Sequence, residues 1–371
     1  MKVKSLSLRN YRNYAEVDLD TDHRVNVFIG RNAQGKTNLL ESIYMLALTK
    51  SHRTAKDRDL IRFGEDRAVL AAAAERRLGD CTLQLELTAQ GKRARINGLE
   101  QRKLSDYIGT LNVVLFAPED LEIVKGSPAV RRRFLDMEIA QVQPSYLHSL
   151  NQYQKVLVQR NNFLKSGAGA APGSDVMLSV WNEQLADYGS KIMRRRQKFI
   201  TKLQTWAESV HGGITAGKET LAVSYAPSVE VSDEDDETVL FDRFMVKLSQ
   251  TKEQDLRRGA TSVGPHRDDV TFRIDGKDAY SFGSQGQQRT AALSLKLAEI
   301  ELIKQETGEY PVLLLDDVLS ELDRSRQEHL VETFRSKVQT FITTTGVEGI
   351  RLSLLGDVKL FHVSEGTVSS E

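Results

Sequence analysis

Apolar and polar positions change period along this chain, and the changes mark its elements. Residues 25–29 (VNVFI) are a short apolar run that stops at Gly30. Residues 36–49 then place Leu39, Leu40, Ile43 and Leu46 at helical spacing without Gly or Pro, which predicts a helix. Over residues 82–88, Leu83, Leu85 and Leu87 alternate with Gln84 and Glu86, the period of a half-buried strand. Gln90-Gly91 turns that strand into a second one over Arg93–Asn97, an antiparallel hairpin. Val113–Phe116 is a further short strand, stopped by Pro118.

From about 119 to 258 the pattern lengthens. Residues 145–164 and 177–210 read as two long helices, separated by the Gly/Ala/Ser-rich turn 166–175. Residues 230–238 (EVSDEDDET) read as an acidic, solvated connector. Residues 287–306 lack a helix breaker and align Ala291, Leu295, Ala298 and Leu302 on one stripe, so a helix with a buried face is expected. VLLL at 312–315 and TFITTT at 340–345 read as strands, and no internal repeat is visible.

Composition narrows the class. With 371 residues, 40% hydrophobic and 27% charged, the chain has material for two or three packed units. No apolar run approaches the roughly 20 residues of a membrane span, and MKVKSLSLRN has no apolar secretory core. Membrane partners are therefore not expected. A single cysteine, Cys81, excludes a disulfide framework or a cysteine-rich zinc site and points to a reducing cytoplasm. Basic and acidic residues balance at 51 each, so any nucleic-acid binding must come from a local basic patch.

The chemistry begins at residues 30–37, GRNAQGKT, which match G-x-x-x-x-G-K-[ST] between an apolar strand and a helix. Gly30 and Gly35 let the backbone curl, so that the amides of Arg31, Asn32, Ala33 and Gln34 turn toward phosphate oxygens. The helix N-terminus around Lys36, Thr37 and Asn38 adds partial positive charge. Lys36 is suited to reach the β and γ phosphates, and the Thr37 hydroxyl to ligate magnesium. No N-K-x-D guanine motif occurs, which favours ATP.

VLLLDD at 312–317 ends an apolar strand on two carboxylates. By itself this could be a turn. With a phosphate loop present, Asp316 becomes the magnesium-orienting carboxylate, and Asp317 the group that positions or deprotonates water. Asp316 lies 279 residues after Thr37, so a large segment is inserted between the two strands. The expected division is an ATPase lobe at 1–116 and 307–371 and a mainly helical lobe at 117–306, with a short arm at about 145–210.

FGSQGQQR at 282–289 precedes the long helix. Ser284 is placed to cap it, and Gly286 allows close backbone approach to a ligand. The phosphate loop, this S-x-G-Q turn, the Asp-Asp strand and SELD (320–323) together resemble the ABC-type ATPases, in their chromosome-maintenance and repair branch. LSLRNYRNY (6–14), KSHRT (50–54), FAPEDL (116–121), RRRFLD (131–136), SVGPHRDD (262–269), SQGQQR (284–289) and LLLDDVLSELD (313–323) are similar to the RecF family of bacterial recombination mediators.

The resemblance implies an α/β ABC-type ATPase head, a mixed sheet around the phosphate-loop helix plus an antiparallel sub-sheet, with an inserted helical lobe carrying the signature turn. It implies that ATP and Mg2+ at Gly30–Thr37 of one copy are covered by Ser284, Gly286 and Gln287 of a second, with Asp323 close by, so that ATP drives homodimerisation. It also implies action with RecR, and RecO beside it, in loading RecA on single strands coated by binding protein. Gap repair, replication-fork maintenance and SOS induction belong to the same picture.

Three departures from the wider pattern stand out. Asp317 takes the place of a common Glu, Thr343–Thr345 stand where a switch histidine is usual, and no glutamine-loop residue is identifiable. Slow, DNA-stimulated hydrolysis is expected, suited to a timed clamp. Alternatives of other classes are a transporter ATPase subunit, a chromosome-organising ATPase head and a non-hydrolysing structural protein. Among basic clusters, Arg53, Lys56 and Arg58 are the first candidates for duplex DNA, with Arg131 and Arg132 next. Backbone contact without sequence specificity, including at single-/double-strand junctions, is expected, and no aromatic platform for single strands is apparent. His266, Arg267, Asp268 and Asp269 read as a structural or interface element rather than a metal cluster.

Overall fold

The computed structural model describes residues 1–166, 174–319, 322–346 and 355–370. They form two units, Met1–Leu121 with Ala292–Glu371, and Glu122–Ala291. The boundary falls inside the helix Gln285–Thr307, whereas the sequence reading assigned that whole helix to the second lobe.

The first unit is built on two sheets. One is a mixed sheet whose strands run, in order, Thr367–Ser370, Val358–Ser364, Val25–Ile29, Thr340–Thr344, Val312–Asp316 and Val113–Phe116. Its four inner neighbour pairs are parallel, and only the edge pair Val358–Ser364 with Thr367–Ser370 is antiparallel. Strands of a parallel sheet covered on both faces read as unbroken apolar runs, which is why VNVF and VLLLD are buried at every residue.

The second sheet is antiparallel, in the order Tyr14–Asp20, Lys2–Tyr11, Arg67–Glu75, Cys81–Thr88, Gly91–Ile96 and Leu99–Glu100. In Arg67–Glu75 and Cys81–Thr88 the inside–outside alternation is clean. Cys81, Leu83, Leu85 and Leu87 are buried, and Leu85 faces Leu70 on one neighbour and Ala94 on the other. The helix Lys36–Leu48 is buried at nearly every position, including Glu41.

The second unit holds the long helices Pro144–Lys165 and Ser174–Ile214, which are the two expected ones; most of the turn between them lies outside the described residues. The arm-like pair is fastened by the rest of its unit. Arg160, 1% exposed, donates to Asn182, Asp255 and Thr261. A small sheet of Leu221–Ala226, Asp269–Ile274 and Lys277–Asp278 and the helices Pro128–Val142 and Glu237–Gln250 complete this unit.

Candidate functional site

The parallel strands converge at their carboxyl ends on one cluster of side chains. Val25–Ile29 leads into the loop 30–35, and the helix begins at Lys36. Gly30 is required by packing: a Cβ there would stand 2.3 Å from the carbonyl oxygen of Val363. Gly35 has φ +116°, and a Cβ would press on Asn13 and the Tyr14 hydroxyl at 2.6 and 2.7 Å. That crowding is useful, because Asn13 Nδ2 donates to Gln34 O at 2.9 Å and Tyr14 OH to Gly35 O at 3.0 Å. The turn between the first two strands thus grips the loop from outside and leaves Arg31, Asn32 and Ala33 exposed.

Lys36 Nζ donates to the carbonyls of Gly30 at 2.7 Å and Arg31 at 2.9 Å, so the ammonium lies across the concave face of the loop. Burial lowers its pKa, and the neighbouring Asp317 and Asp316 act against that shift. Thr37 Oγ1 donates to Asp316 Oδ1 at 3.0 Å, and Thr343 Oγ1 donates to the same oxygen at 2.7 Å. The Thr343 hydroxyl also accepts from the Asp317 amide at 2.9 Å, and Asp317 is held at φ +54°. Thr343 therefore fixes both carboxylate-bearing residues. Its partner position in the sheet is Asp316 itself, which explains the geometry.

A hydroxyl and a carboxylate on adjacent elements suit Mg2+, which takes one or two protein oxygens and completes its shell with water and phosphate. Thr37 and Asp316 fit that donor set. No group of three or more metal-ligating side chains occurs among the described residues, the His266–Asp269 segment included.

Glu41 is a component that sequence reasoning missed. It is fully buried on the phosphate-loop helix and accepts from Arg12 Nε at 2.8 Å, Arg12 Nη2 at 2.7 Å, Tyr11 OH at 3.0 Å and Ser51 Oγ. Hydrogen bonds and the Arg12 charge hold its carboxyl below the usual range against the opposing effect of burial. Arg12 Nη1 continues to Asp59 O at 2.9 Å, so the loop helix is tied to the basic segment after it. The signal was a lone carboxylate inside an apolar helix.

In the second unit, Ser284 and Gln287 cap each other's helix start. Gln287 N donates to Ser284 Oγ at 3.2 Å, and Ser284 N to Gln287 Oε1 at 2.9 Å. Ser284 remains exposed and Gly286 half-buried, so the turn is ordered and accessible. Asp323 caps the helix Arg324–Phe334 by accepting from the Arg326 amide at 3.0 Å. Ser320 and Glu321 of SELD lie outside the described residues.

The basic clusters separate. Arg53, Lys56 and Arg58 are exposed; Arg53 Nη1 donates to Asn38 Oδ1 at 2.9 Å. Arg131 does not fit its expected role in DNA contact. It is nearly buried and clamps Asp269 through Nε at 2.6 Å and Nη2 at 2.9 Å, while Nη1 donates to Gly126 O. Arg132 is likewise turned inward, to Asp268 O at 2.8 Å. Successive helical residues point about 100° apart, so a basic triplet is not one surface.

The GPHRDD segment builds a polar node around the buried Asp268. Asp268 accepts from Ser228 N and Oγ at 2.7 and 2.8 Å and from Tyr225 OH. Arg196, 1% exposed, donates to Tyr146 OH, Pro265 O and Asp136 Oδ1. Tyr153 OH meets His266 Nδ1 at 2.7 Å, and Nε2 meets Thr261 O at 3.0 Å. A carbonyl only accepts, so Nε2 carries the proton and Nδ1 accepts from the tyrosine.

Burial lowers the His266 pKa from 6.5 to about 4. Between those values the unfolded chain binds more protons, so this residue removes stability as pH falls from 6.5 toward 4, by at most roughly 3 kcal/mol. Urea unfolding at pH 7 and 4.5 should show a smaller acid loss in His266→Gln than in the parent. Equal losses would place the histidine outside the acid response.

The family model described as RecF/RecN/SMC N terminal domain matches residues 2–352. A Bacillus mycoides "DNA replication and repair protein RecF" is 53% identical over 371 residues, covering 100% of this chain and 99% of the relative. A Bacillus cereus protein of the same name is 52% identical over the same span. The solved recombination mediator protein RecF–ATP of the RecFOR pathway superposes with TM-score 0.92 at 34% identity, covering 100% of this chain and 97% of that one. A Pyrococcus furiosus Smc head domain, 13% identical with TM-score 0.57 and covering 100% of this chain and 95% of that one, shares the fold. No helix among the described residues is long and apolar enough to cross a membrane.

Proposed function

The chain belongs to the RecF/RecN/SMC N-terminal domain family, among its DNA replication and repair proteins, and from that premise we propose that it is an ATP-gated DNA-binding dimer acting as a recombination mediator. The observation that carries the reading is the Thr37–Asp316–Thr343 cluster beneath a loop whose lysine spans its concave face. ATP is cradled by the amides of residues 30–38, Lys36 faces its terminal phosphates, and Thr37 and Asp316 hold Mg2+. The metal, when bound, supplies charge neutralisation at the phosphates. Asp317, pinned through Thr343, orients the attacking water. Its short side chain reaches less far than a glutamate, which supports slow turnover; stimulation by DNA is part of the proposal.

The exposed Ser284–Gly286–Gln287 turn closes over the nucleotide of a second copy, with Asp323 near that interface. A γ-phosphate touched from both sides binds the dimer better than the monomer, so nucleotide drives association by mass action and hydrolysis releases it. Arg53, Lys56 and Arg58 hold duplex backbone without reading sequence. The proposal includes a cytoplasmic setting, partnership with RecR, with RecO and RecA downstream, and roles in gap repair, fork maintenance and SOS induction; membership of the family supports it.

Size-exclusion chromatography with light scattering tests the model. With a slowly hydrolysed ATP analogue, the mass should move from 41.7 kDa toward twice that value. Ser284→Arg should bind the analogue normally and remain monomeric, because the exposed site tolerates the side chain at the loss of about 1 kcal/mol of capping. A wild-type monomer under saturating analogue would remove the sandwich, and a dimeric Ser284→Arg would remove the role of the turn.

A further inference from the structure

The basic segment after the phosphate-loop helix carries one side chain that folding does not explain. Phe63 is completely exposed, at 101%. It does not sit on a loose tip. Residues Arg62–Glu65 form a tight turn closed by the Glu65 amide donating to Arg62 O at 3.0 Å. Gly64 has φ +88°, the positive angle that the third position of a type II turn requires, which leaves Phe63 at the second position with its ring outward.

Three bonds fasten this corner. The Arg62 amide donates to Asn10 O at 2.8 Å, Asn10 Nδ2 to Glu65 Oε2 at 3.1 Å, and Arg58 Nη1 to Glu65 O at 2.6 Å. Lys56 and Arg58 are exposed on the same short segment, together with Asp59 and Asp66, and Arg67, 71% exposed and paired with Glu86, opens the strand that follows. A bare aromatic ring on a rigid corner, with exposed cations interleaved with the carboxylates of Asp59 and Asp66, offers a base-stacking face beside side chains able to take phosphates.

We propose that Phe63 stacks on a base left unpaired or end-exposed at a gap in duplex DNA, while Lys56 and Arg58 hold the adjoining phosphates. The proposal rests on the DNA-binding reading above and adds the structural preference. A continuous duplex hides its base faces, and opening a step costs a few kcal/mol, so the ring contributes only where the duplex is already interrupted. Any base presents a π-face, so the contact carries no sequence preference.

The test measures fluorescence anisotropy of the full chain, with a slowly hydrolysed ATP analogue, on a continuous duplex and on the same duplex with a short gap. Phe63→Ala should weaken gapped-DNA binding roughly 5- to 150-fold and change duplex binding less than twofold. Phe63→Trp should keep the preference and show indole quenching on gapped DNA alone. If the parent chain binds neither DNA, the DNA-binding reading falls and this inference with it. If the parent binds both and Phe63→Ala behaves like it, or weakens both equally, only the base contact falls. Unchanged DNA binding with loss of the analogue-dependent dimer would assign Phe63 to a protein interface and overturn the proposal.

Discussion

Lys36→Met is expected to abolish nucleotide-dependent dimerisation and DNA retention while leaving the fold in place. Lys36 Nζ bonds the carbonyls of Gly30 and Arg31, so its ammonium is at the position phosphate oxygens would approach. Each charge-assisted hydrogen bond contributes roughly 1.5–3 kcal/mol, so losing the contacts to two phosphates weakens nucleotide binding by about 100-fold or more. The variant also removes a side-chain cation that interacts with Asp317 and Asp316 beside the triphosphate. Methionine keeps the length of the stem at a position 7% exposed, so packing is retained. Calorimetric binding of the ATP analogue and light scattering would check both parts. An analogue-bound, dimeric Lys36→Met would refute the assigned role.

How much of this was readable beforehand depended on whether one local pattern carried the signal. The strands Val25–Ile29 and Val312–Asp316 and the helix Lys36–Leu48 are legible nearly to the residue, because a doubly covered parallel strand and a phosphate-loop helix are locally apolar and locally punctuated. The strand Arg67–Glu75 is not legible in the sequence. Its sequence, RAVLAAAAE, is alanine-rich and reads weakly for any element; pairing with Lys2–Tyr11 and Cys81–Thr88 decides it. Lys2–Tyr11 itself shifts register between Val3 and Ser5, which breaks a simple alternation.

The site shows the same division. Gly30, Lys36, Thr37 and Asp316 follow from motif chemistry, because each acts within a few residues of a recognisable turn. Thr343 entered the sequence reading only as the occupant of a place where histidine is usual; its work, bridging Asp316 and Asp317, depends on strand order. Asn13 and Tyr14 hold the loop from another sheet, and Glu41 binds Arg12 across 29 residues of sequence. Arg131 shows the opposite error, a charge that composition places in solvent and topology places on Asp269.

Arg196 supplies the largest expected effect on stability. It is the buried cation of the node formed by Asp136, Tyr146, Pro265 and Asp268. Arg196→Met removes the charge and leaves Asp268, 1% exposed, as a carboxylate whose nearest cation is gone. Breaking one side of a buried pair costs about 3–5 kcal/mol. Burial already raises the Asp268 pKa, and Arg196 is the first of the influences that oppose it, so the variant raises it further. A carboxyl with a raised folded pKa binds more protons in the native state, so the stability of the variant should fall as pH rises and part of the deficit should disappear in acid. Arg196→Met with Asp268→Asn should recover about half of the loss at neutral pH, since the amide oxygen still accepts from Ser228 and only Asp136, 22% exposed, is left as a carboxylate without Arg196. Trp181 and Trp206 both lie in the unit Glu122–Ala291, so their emission during urea unfolding reads this unit alone. A loss below about 1 kcal/mol in the single variant, or no recovery in the double, would show that the node is held by packing and not by its charges.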